Sequence, residues 1–439
     1  MLGAVVVSAA VLLAETPPVR ACGGCFHGPT ASPMTVDAHR MVLAISPTST
    51  TLWDQIVYGG EPNEFAWVLP VSSEAQVELA DNAFFEALTR ETMITMQAPP
   101  PPRTTCDDPC SAWGPVGFGT ASFAGVRAEG DTSTNVMVFH QGVVGPYETA
   151  TIGSDDPEAL LRWMNDNGYV VDDAMLPTIQ HYVAQGMSFA VLKLRAGESV
   201  DRMQPVRVTV PGLSTTLPLR MIAAGVGVDV SLELFVFAES RMETANFGNA
   251  EVDRSAIAYD WATRTFDYEA RFEDALFAGE GPTTNWVTEY AMPVTSWSNL
   301  ASYTSVGDDG ERHSAQEDVL VVQRALPTDA YLTRLRTRLT PNDLGDDLNL
   351  RMSTRGDVGT FIRVTRELNR APDPVCSNYC ASGNGFDPGG STTRGTGRGL
   401  RCSASVGSAR AGSSGAPLGV GVLGLALGMV IQRRRGRAS

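Results

Sequence analysis

Apolar and polar side chains alternate with a period of two along much of this chain. The pattern runs through HRMVLAIS (39–46), TTLWDQIVY (50–58), EFAWVLPV (64–71) and TNVMVFHQGVVG (134–145). It returns in SFAVLKL (188–194), QPVRVTV (204–210), VDVSLELFVFA (228–238) and YLTRLRTRLT (331–340). Such alternation puts successive side chains on opposite faces of a pleated strand, so each of these segments is predicted to be a strand. Helical spacing is rarer. DDPEALLRWMNDNGY (155–169) offers Asp156 as N-cap, Pro157 at the first helical position and Gly168 past the end. Its Leu160, Leu161, Trp163 and Met164 make an apolar face suited to a core. LPTIQHYVAQG (176–186) repeats the design with Pro177 and Gly186, and DNAFFEALTRET predicts a third helix from Asp81. Strands outnumber helices and do not alternate with them. The fold class is therefore α+β, mainly antiparallel sheet with a few packed helices.

The two ends read differently from this body. Residues 2–14 form an uncharged apolar run, followed by Glu15, Pro17, Pro18 and Val19-Arg20-Ala21. The run is shorter than the ~20 residues that span a bilayer, and the small residues fit cleavage after Ala21, so 1–21 is read as a signal peptide. A buried helix is the competing reading, and the prolines count against it. Acylation of Cys22 is a further option, opposed by Arg20. At the other end, 381–415 is a Gly-, Ser- and Arg-rich linker. Residues 416–432 are an apolar membrane anchor, and 433–439 a basic tail whose arginines place it in the cytoplasm. Between the ends lie an N-terminal α+β part at 22–240 and a β-rich part at 241–380, divided loosely near ESRMETANFGNA.

Charge sharpens the division. The chain carries 49 acidic and 33 basic side chains, a net of −16. Residues 1–21 and 381–439 hold nine basic and two acidic ones, which leaves 24 against 47 in the body, a net of −23. A surface of that sign repels nucleic acid and excludes it as a partner.

Export places the thiols in an oxidising compartment. Six of the seven cysteines form close pairs: Cys22 and Cys25, Cys106 and Cys110, Cys376 and Cys380. Covalent haem needs a histidine directly after the second cysteine, and Phe26 separates Cys25 from His27. A thioredoxin-type dithiol needs a helix next, which HGPTASP does not begin. Zinc would compete with oxidation. Disulfide staples are the expected state, local ones at Cys106–Cys110 and Cys376–Cys380, among the fifteen pairings that six cysteines permit. No metal and no cofactor is expected.

No phosphate loop surrounds the single lysine, Lys193, and neither H-E-x-x-H nor G-x-S-x-G occurs. The polar residues left to form a site are His27, His39, His140 and His181, which the fold would have to bring together. Asp155-Asp156 and Asp346-Asp347 read as solvated caps and turns. Trp53, Trp67 and Tyr147 sit at strand spacing and read as core.

Two resemblances add to this. The cysteine-glycine start, FAWVLPV, VVGPYETATI…DPEALLRWMNDNGY, FAVLKLR…MQPVRVTVPG and LPLRMIAAGVG resemble, in that order, the DUF2330 family of exported bacterial proteins. That resemblance implies export and a shared fold over residues 22 to about 370, and no activity. Cys402, the apolar stretch after it and Arg433, Arg434 and Arg435 resemble the C-terminal sorting signals of myxobacterial surface proteins. This implies processing near the cysteine and retention at the cell surface. The function expected is a non-enzymatic one: an anchored domain outside the cytoplasm that binds a ligand or a protein partner, attached to the membrane through its C-terminal helix. The alternatives are an exported hydrolase or redox enzyme with an unfamiliar site, and a structural component of the envelope.

Overall fold

The computed structural model describes residues 25–26, 35–59, 66–100, 136–169, 171, 173–196, 198, 203–223, 229–279, 284–307 and 310–369. All of these fall in one compact unit. The segments expected to be signal peptide (1–21), linker (381–415), anchor (416–432) and basic tail (433–439, with Arg433 to Arg435), together with Cys22, His27, Cys106, Cys110, Cys376, Cys380 and Cys402, lie outside them, as does the Cys25 side chain. Among the described residues no helix is long and apolar enough to cross a membrane.

Two sheets dominate, with strands numbered in chain order. The larger has the spatial order β14 (Asn249–Glu251), β17 (Trp286–Pro293), β20 (Tyr331–Leu339), β12 (Val230–Ala238), β2 (Thr35–Ile45), β3 (Ser49–Gly59), β10 (Val206–Pro211) and β5 (Gln76–Leu79). The smaller runs β1 (Cys25–Phe26), β4 (Ala66–Val71), β9 (Ser188–Leu194), β8 (Tyr147–Gly153) and β7 (Met137–Val144). Short ribbons complete the strands. They are β11 (Thr216–Leu217) with β21 (Leu348–Met352) and β13 (Met242–Thr244), and β16 (Thr265–Phe266) with β15 (Ala258–Asp260) and β23 (Arg366–Leu368). Two more are β18 (Thr304–Val306) with β19 (Arg312–Ser314), and β22 (Phe361–Arg363) with β6 (Thr95–Gln97). Within the two main sheets every pair is antiparallel except β12 with β2 and β14 with β17. Strands from both sides of residue 240 lie side by side in the larger sheet.

All eight predicted strands form. So do the three predicted helices, α1 (Asn82–Glu91), α2 (Pro157–Asp166) and α3 (Leu176–Val183). Asp81 and Asp156 cap the first two by accepting backbone N–H groups of the first turn. Gly168 follows α2 with φ +77°, the left-handed conformation that suits glycine at a helix end. Four helices had no clear signal: α4 (Leu219–Ile222), α5 (Tyr268–Leu276), α6 (Trp297–Ala301) and α7 (Gln316–Ala325). Strand β8 was also missed, hidden behind Gly145-Pro146. That pair makes a two-residue hairpin loop, in which Gly145 takes φ +55°.

The layers follow from strand parity. On β12, Leu232, Leu234 and Val236 face one way and Phe235 and Phe237 the other, all of them buried. The first set meets Trp67, Leu69, Val71, Ala190 and Leu192 of the smaller sheet in a core between the sheets. The second set packs with Val42, Ala44 and Trp53 under α1, α6 and α7. The outer face of the smaller sheet, Val68, Ile152, Phe189 and Val191, is covered by α2 and α3. The result is four layers: helices, large sheet, small sheet, helices.

Buried charge orders the helix side. Asp318 of α7 is 2% exposed and accepts hydrogen bonds from Trp53 Nε1 at 2.7 Å, Arg207 at 2.7 Å and the Asp81 backbone N–H at 3.0 Å. One carboxylate thus ties α7 to β3, β10 and the cap of α1. A second network crosses the sheet. Glu233 of β12 accepts from Arg40 of β2 at 2.8 Å and from Arg334 of β20 at 2.7 Å. Beyond it Glu289 of β17 binds Arg336 at 2.9 Å and accepts from the Tyr268 hydroxyl at 2.8 Å.

Burial alone would raise the Glu233 pKa, but Arg334 and Arg40 outweigh it and hold the carboxyl below its usual range. A carboxyl depressed by folding stabilises above its unfolded pKa and loses that contribution as pH falls through its folded value. Glu233→Gln is therefore expected to destabilise by about 3 kcal/mol at neutral pH. Its stability should then fall less steeply than that of the unaltered protein as pH drops below 4.5, the unperturbed value. Urea titrations at stepped pH check this, and parallel pH curves would contradict it.

Candidate functional site

The layer between the sheets is not filled throughout. Leu43 of β2, Thr50 and Leu52 of β3, and Val208 and Val210 of β10 form one wall of an opening of about 370 Å³. Leu69, Pro70 and Val71 of β4 form the facing wall. The residues after β10, among them Ser214, Thr216 and Leu217, close one side. Their loop is pinned to the sheet because Thr50 Oγ1 donates to the Gly212 carbonyl at 3.1 Å and accepts from the Ser214 N–H at 2.8 Å. The lining is mostly apolar because β2, β3, β10 and β4 turn their core-facing set of side chains toward it.

Polar groups gather at the rim. The Tyr182 hydroxyl, from α3, donates to Asp347 Oδ1 at 2.6 Å. Burial first, and then Asp347, push the Tyr182 phenol well above its ordinary value, so it stays a neutral donor and Asp347 the acceptor. Asp347 Oδ1 also accepts from the Arg220 backbone N–H at 3.1 Å, and the Arg220 guanidinium is bound to Asp346 at 2.6 Å. Gln185 and Ser72 complete this rim.

A smaller cavity of about 20 Å³, enough for one water, shares Leu52, Leu69, Leu217 and Pro218 with the larger opening. Asp54 lines it. Beside it His39 Nδ1 lies 3.2 Å from Asp54 Oδ1, both side chains nearly sealed from solvent. The other ring nitrogen, Nε2, is buried with no hydrogen-bond partner among the described residues. Geometrically this is a dyad. Among the described residues no hydroxyl or thiol hydrogen-bonds Nε2 to make a nucleophile.

Of the three described histidines singled out in the sequence, His39, His140 and His181, His39 alone reaches the layer between the sheets. His181 sits on α3 next to Tyr182 but faces outward, its Nε2 2.8 Å from Gln185. It touches the rim through Gln185 and through an edge-on ring contact with Tyr182 at 5.2 Å. His140 is exposed on the edge strand β7. His313, outside that set, pairs with Asp81 at 3.2 Å. Among the described residues no group of three or more His, Cys, Asp and Glu side chains could hold a metal ion. Trp53, Trp67 and Tyr147 are core. The reading of Asp346-Asp347 as a solvated turn holds for Asp346 and fails for Asp347. Two donors draw Asp347 into the rim, and one of them, Tyr182, is 165 residues away.

Two mostly antiparallel sheets, face to face, covered outside by helices and holding an apolar opening between them, define an α+β protein. The chain belongs to the family described as "Uncharacterized protein conserved in bacteria (DUF2330)", whose model matches residues 17–351. Among solved structures it is similar to a mutated baculovirus P35 after caspase cleavage, at 7% identity, with a TM-score of 0.30, over 71% of this chain and 99% of that one. No curated protein matches it.

The dyad makes a separable prediction. Removing one member strands the other, whereas replacing both removes the penalty. His39→Leu is expected to cost about 2 kcal/mol of stability, and His39→Leu with Asp54→Leu to cost less than Asp54→Leu added to it. Denaturant titration of the four proteins measures the coupling, and strict additivity would show that the pair does not interact.

Proposed function

We propose that this chain is an exported, envelope-anchored binding protein whose opening between the sheets takes a small, largely apolar ligand. The observation that carries the reading is the opening itself. Its volume of about 370 Å³ lies in the range of small-molecule sites, and it combines apolar walls with a few polar groups at one end. The other supports are in the sequence: a signal peptide ending at Ala21, cysteine pairs suited to an oxidising compartment, and an apolar anchor backed by arginines. In this reading Cys22, Cys25, Cys106, Cys110, Cys376 and Cys380 staple the domain. Cys402 with Arg433, Arg434 and Arg435 serves sorting to the surface, and the acidic body faces outward. The enzymatic alternative rests on His39 and Asp54, and it lacks a nucleophile beside them among the described residues. The envelope-component alternative has no observation of its own.

N-phenyl-1-naphthylamine, which fluoresces on entering apolar sites, tests the pocket. The protein is expected to bind it saturably, and Val210→Trp, which fills the opening from one wall, to weaken binding at least tenfold with circular dichroism unchanged. Equal binding by the two proteins sinks the reading. The anchor is tested apart from the pocket. Deleting residues 416–439 is expected to release a folded domain into the medium, and retention in the envelope fraction would move the anchor elsewhere, with Cys22 the first candidate.

A further inference from the structure

The rim of the opening carries an uncompensated negative charge. Asp347 makes both of its side-chain hydrogen bonds through Oδ1, to Tyr182 and to the Arg220 N–H. Among the described residues Oδ2 has no hydrogen bond and the carboxylate has no ion-pair partner. Arg220, whose backbone N–H reaches Asp347, has its guanidinium paired with Asp346. Tyr182, raised by burial, cannot supply charge of either sign at neutral pH. A half-buried carboxylate without a counter-charge is costly, and the cost falls when a cation donates to it. Behind Asp347 the walls are Leu43, Leu52, Leu69, Val71, Val208 and Leu217. The volume, about 370 Å³, is roughly that of a dozen water molecules, room for an aliphatic tail of moderate length.

We infer that the ligand is an amphiphilic amine: an aliphatic body lying between the sheets, with a protonated amino group donating to Asp347 Oδ2 beside Tyr182. The inference rests on the binding reading above and adds the chemistry of the head group. The remaining features agree with it. The hydroxyl-bearing Ser72, Ser214 and Thr216 at the rim accept a second and third ammonium hydrogen as readily as water does. The net charge of −23 over the body raises the local concentration of any cation. An anionic head of the fatty-acid kind meets repulsion at the same place. Neutral heads gain the apolar contacts alone.

The test uses three probes of one tail length, octylammonium, octanol and octanoate, titrated into the full chain by calorimetry at neutral pH and moderate salt. Octylammonium is expected to bind at least tenfold more tightly than octanoate, with octanol between. Asp347→Asn should abolish that order while leaving octanol unchanged. Asp329→Asn, the same charge change at an exposed position outside the lining, should preserve it, which separates a local contact from the general acidity of the surface. Should Asp347→Asn fail to fold, Tyr182→Phe keeps the test open, because it removes one of the two donors on Oδ1 and should sharpen the preference for the amine. Octanol binding with octanoate equal to octylammonium, or an order that survives Asp347→Asn, overturns the amine and leaves the pocket standing. Failure of all three probes to bind overturns the pocket and the amine together.

Discussion

The structure turns on one strand whose apolar side chains are buried on both faces. Val230–Ala238 pairs in parallel with β2 and antiparallel with β20. A strand in that position needs cover above and below. The smaller sheet supplies one side and the α1, α6 and α7 layer the other, and the smaller sheet then needs α2 and α3 on its own outer face. Four layers are the consequence. Ser231 at the strand's start is exposed; Glu233 is the charged exception within the packed part, and the arginines on both neighbouring strands answer it. A single buried carboxylate would oppose the fold. Bound from both sides, it sets the register of three strands at once, because a slip of one residue would turn Glu233 to the opposite face.

What the sequence reveals of this arrangement is its local half. Alternation over five or more residues identified β2, β3, β4, β7, β9, β10, β12 and β20, and caps identified α1 and α2, because both signals depend on near neighbours. Helix α7 was missed for a physical reason. Its buried positions include Asp318 beside Val319 and Val322, so the segment QEDVLVVQRA reads as polar at the point where it is most deeply packed. Helix α5, YEARFEDAL, carries four charged side chains among nine residues and hides its Tyr268 and Phe272 face in the same way. Strand order is not local at all. The parallel pairing of β12 with β2 joins segments about 190 residues apart, and no periodicity encodes it.

The site shows the same limit more sharply. His181 drew notice as a chemically versatile side chain, yet the residue that enters the rim is its neighbour Tyr182. Helical geometry decides between them: Tyr182 lies three positions after Ile179, on the buried face, and His181 does not. Asp347 was legible only as half of an acidic pair, since the donors that give it a role come from α3 and α4. The neighbour of His39 is nearer in sequence but still carries no spacing signal, for Asp54, 15 residues on, meets it across the β2–β3 hairpin. A site assembled from five separate stretches of chain leaves no spacing to read.

An opening between two sheets also constrains what it can do. Its walls are ladder-paired strands carrying stiff β-branched side chains at Val71, Val208 and Val210, so a ligand of the kind proposed would meet a preformed site and cost little ordering entropy. On the proposed binding reading, shape selection falls to the strands and sign selection to the rim. The two are carried by different parts of the chain: the walls by β2, β3, β4 and β10, whose apolar alternation the fold itself requires, and the rim by Tyr182, Asp347 and the loop after β10, which the fold could have closed with any polar turn. Substitutions in the walls therefore disturb stability and binding together. At the rim the choice of head group can change while the layers stay as they are.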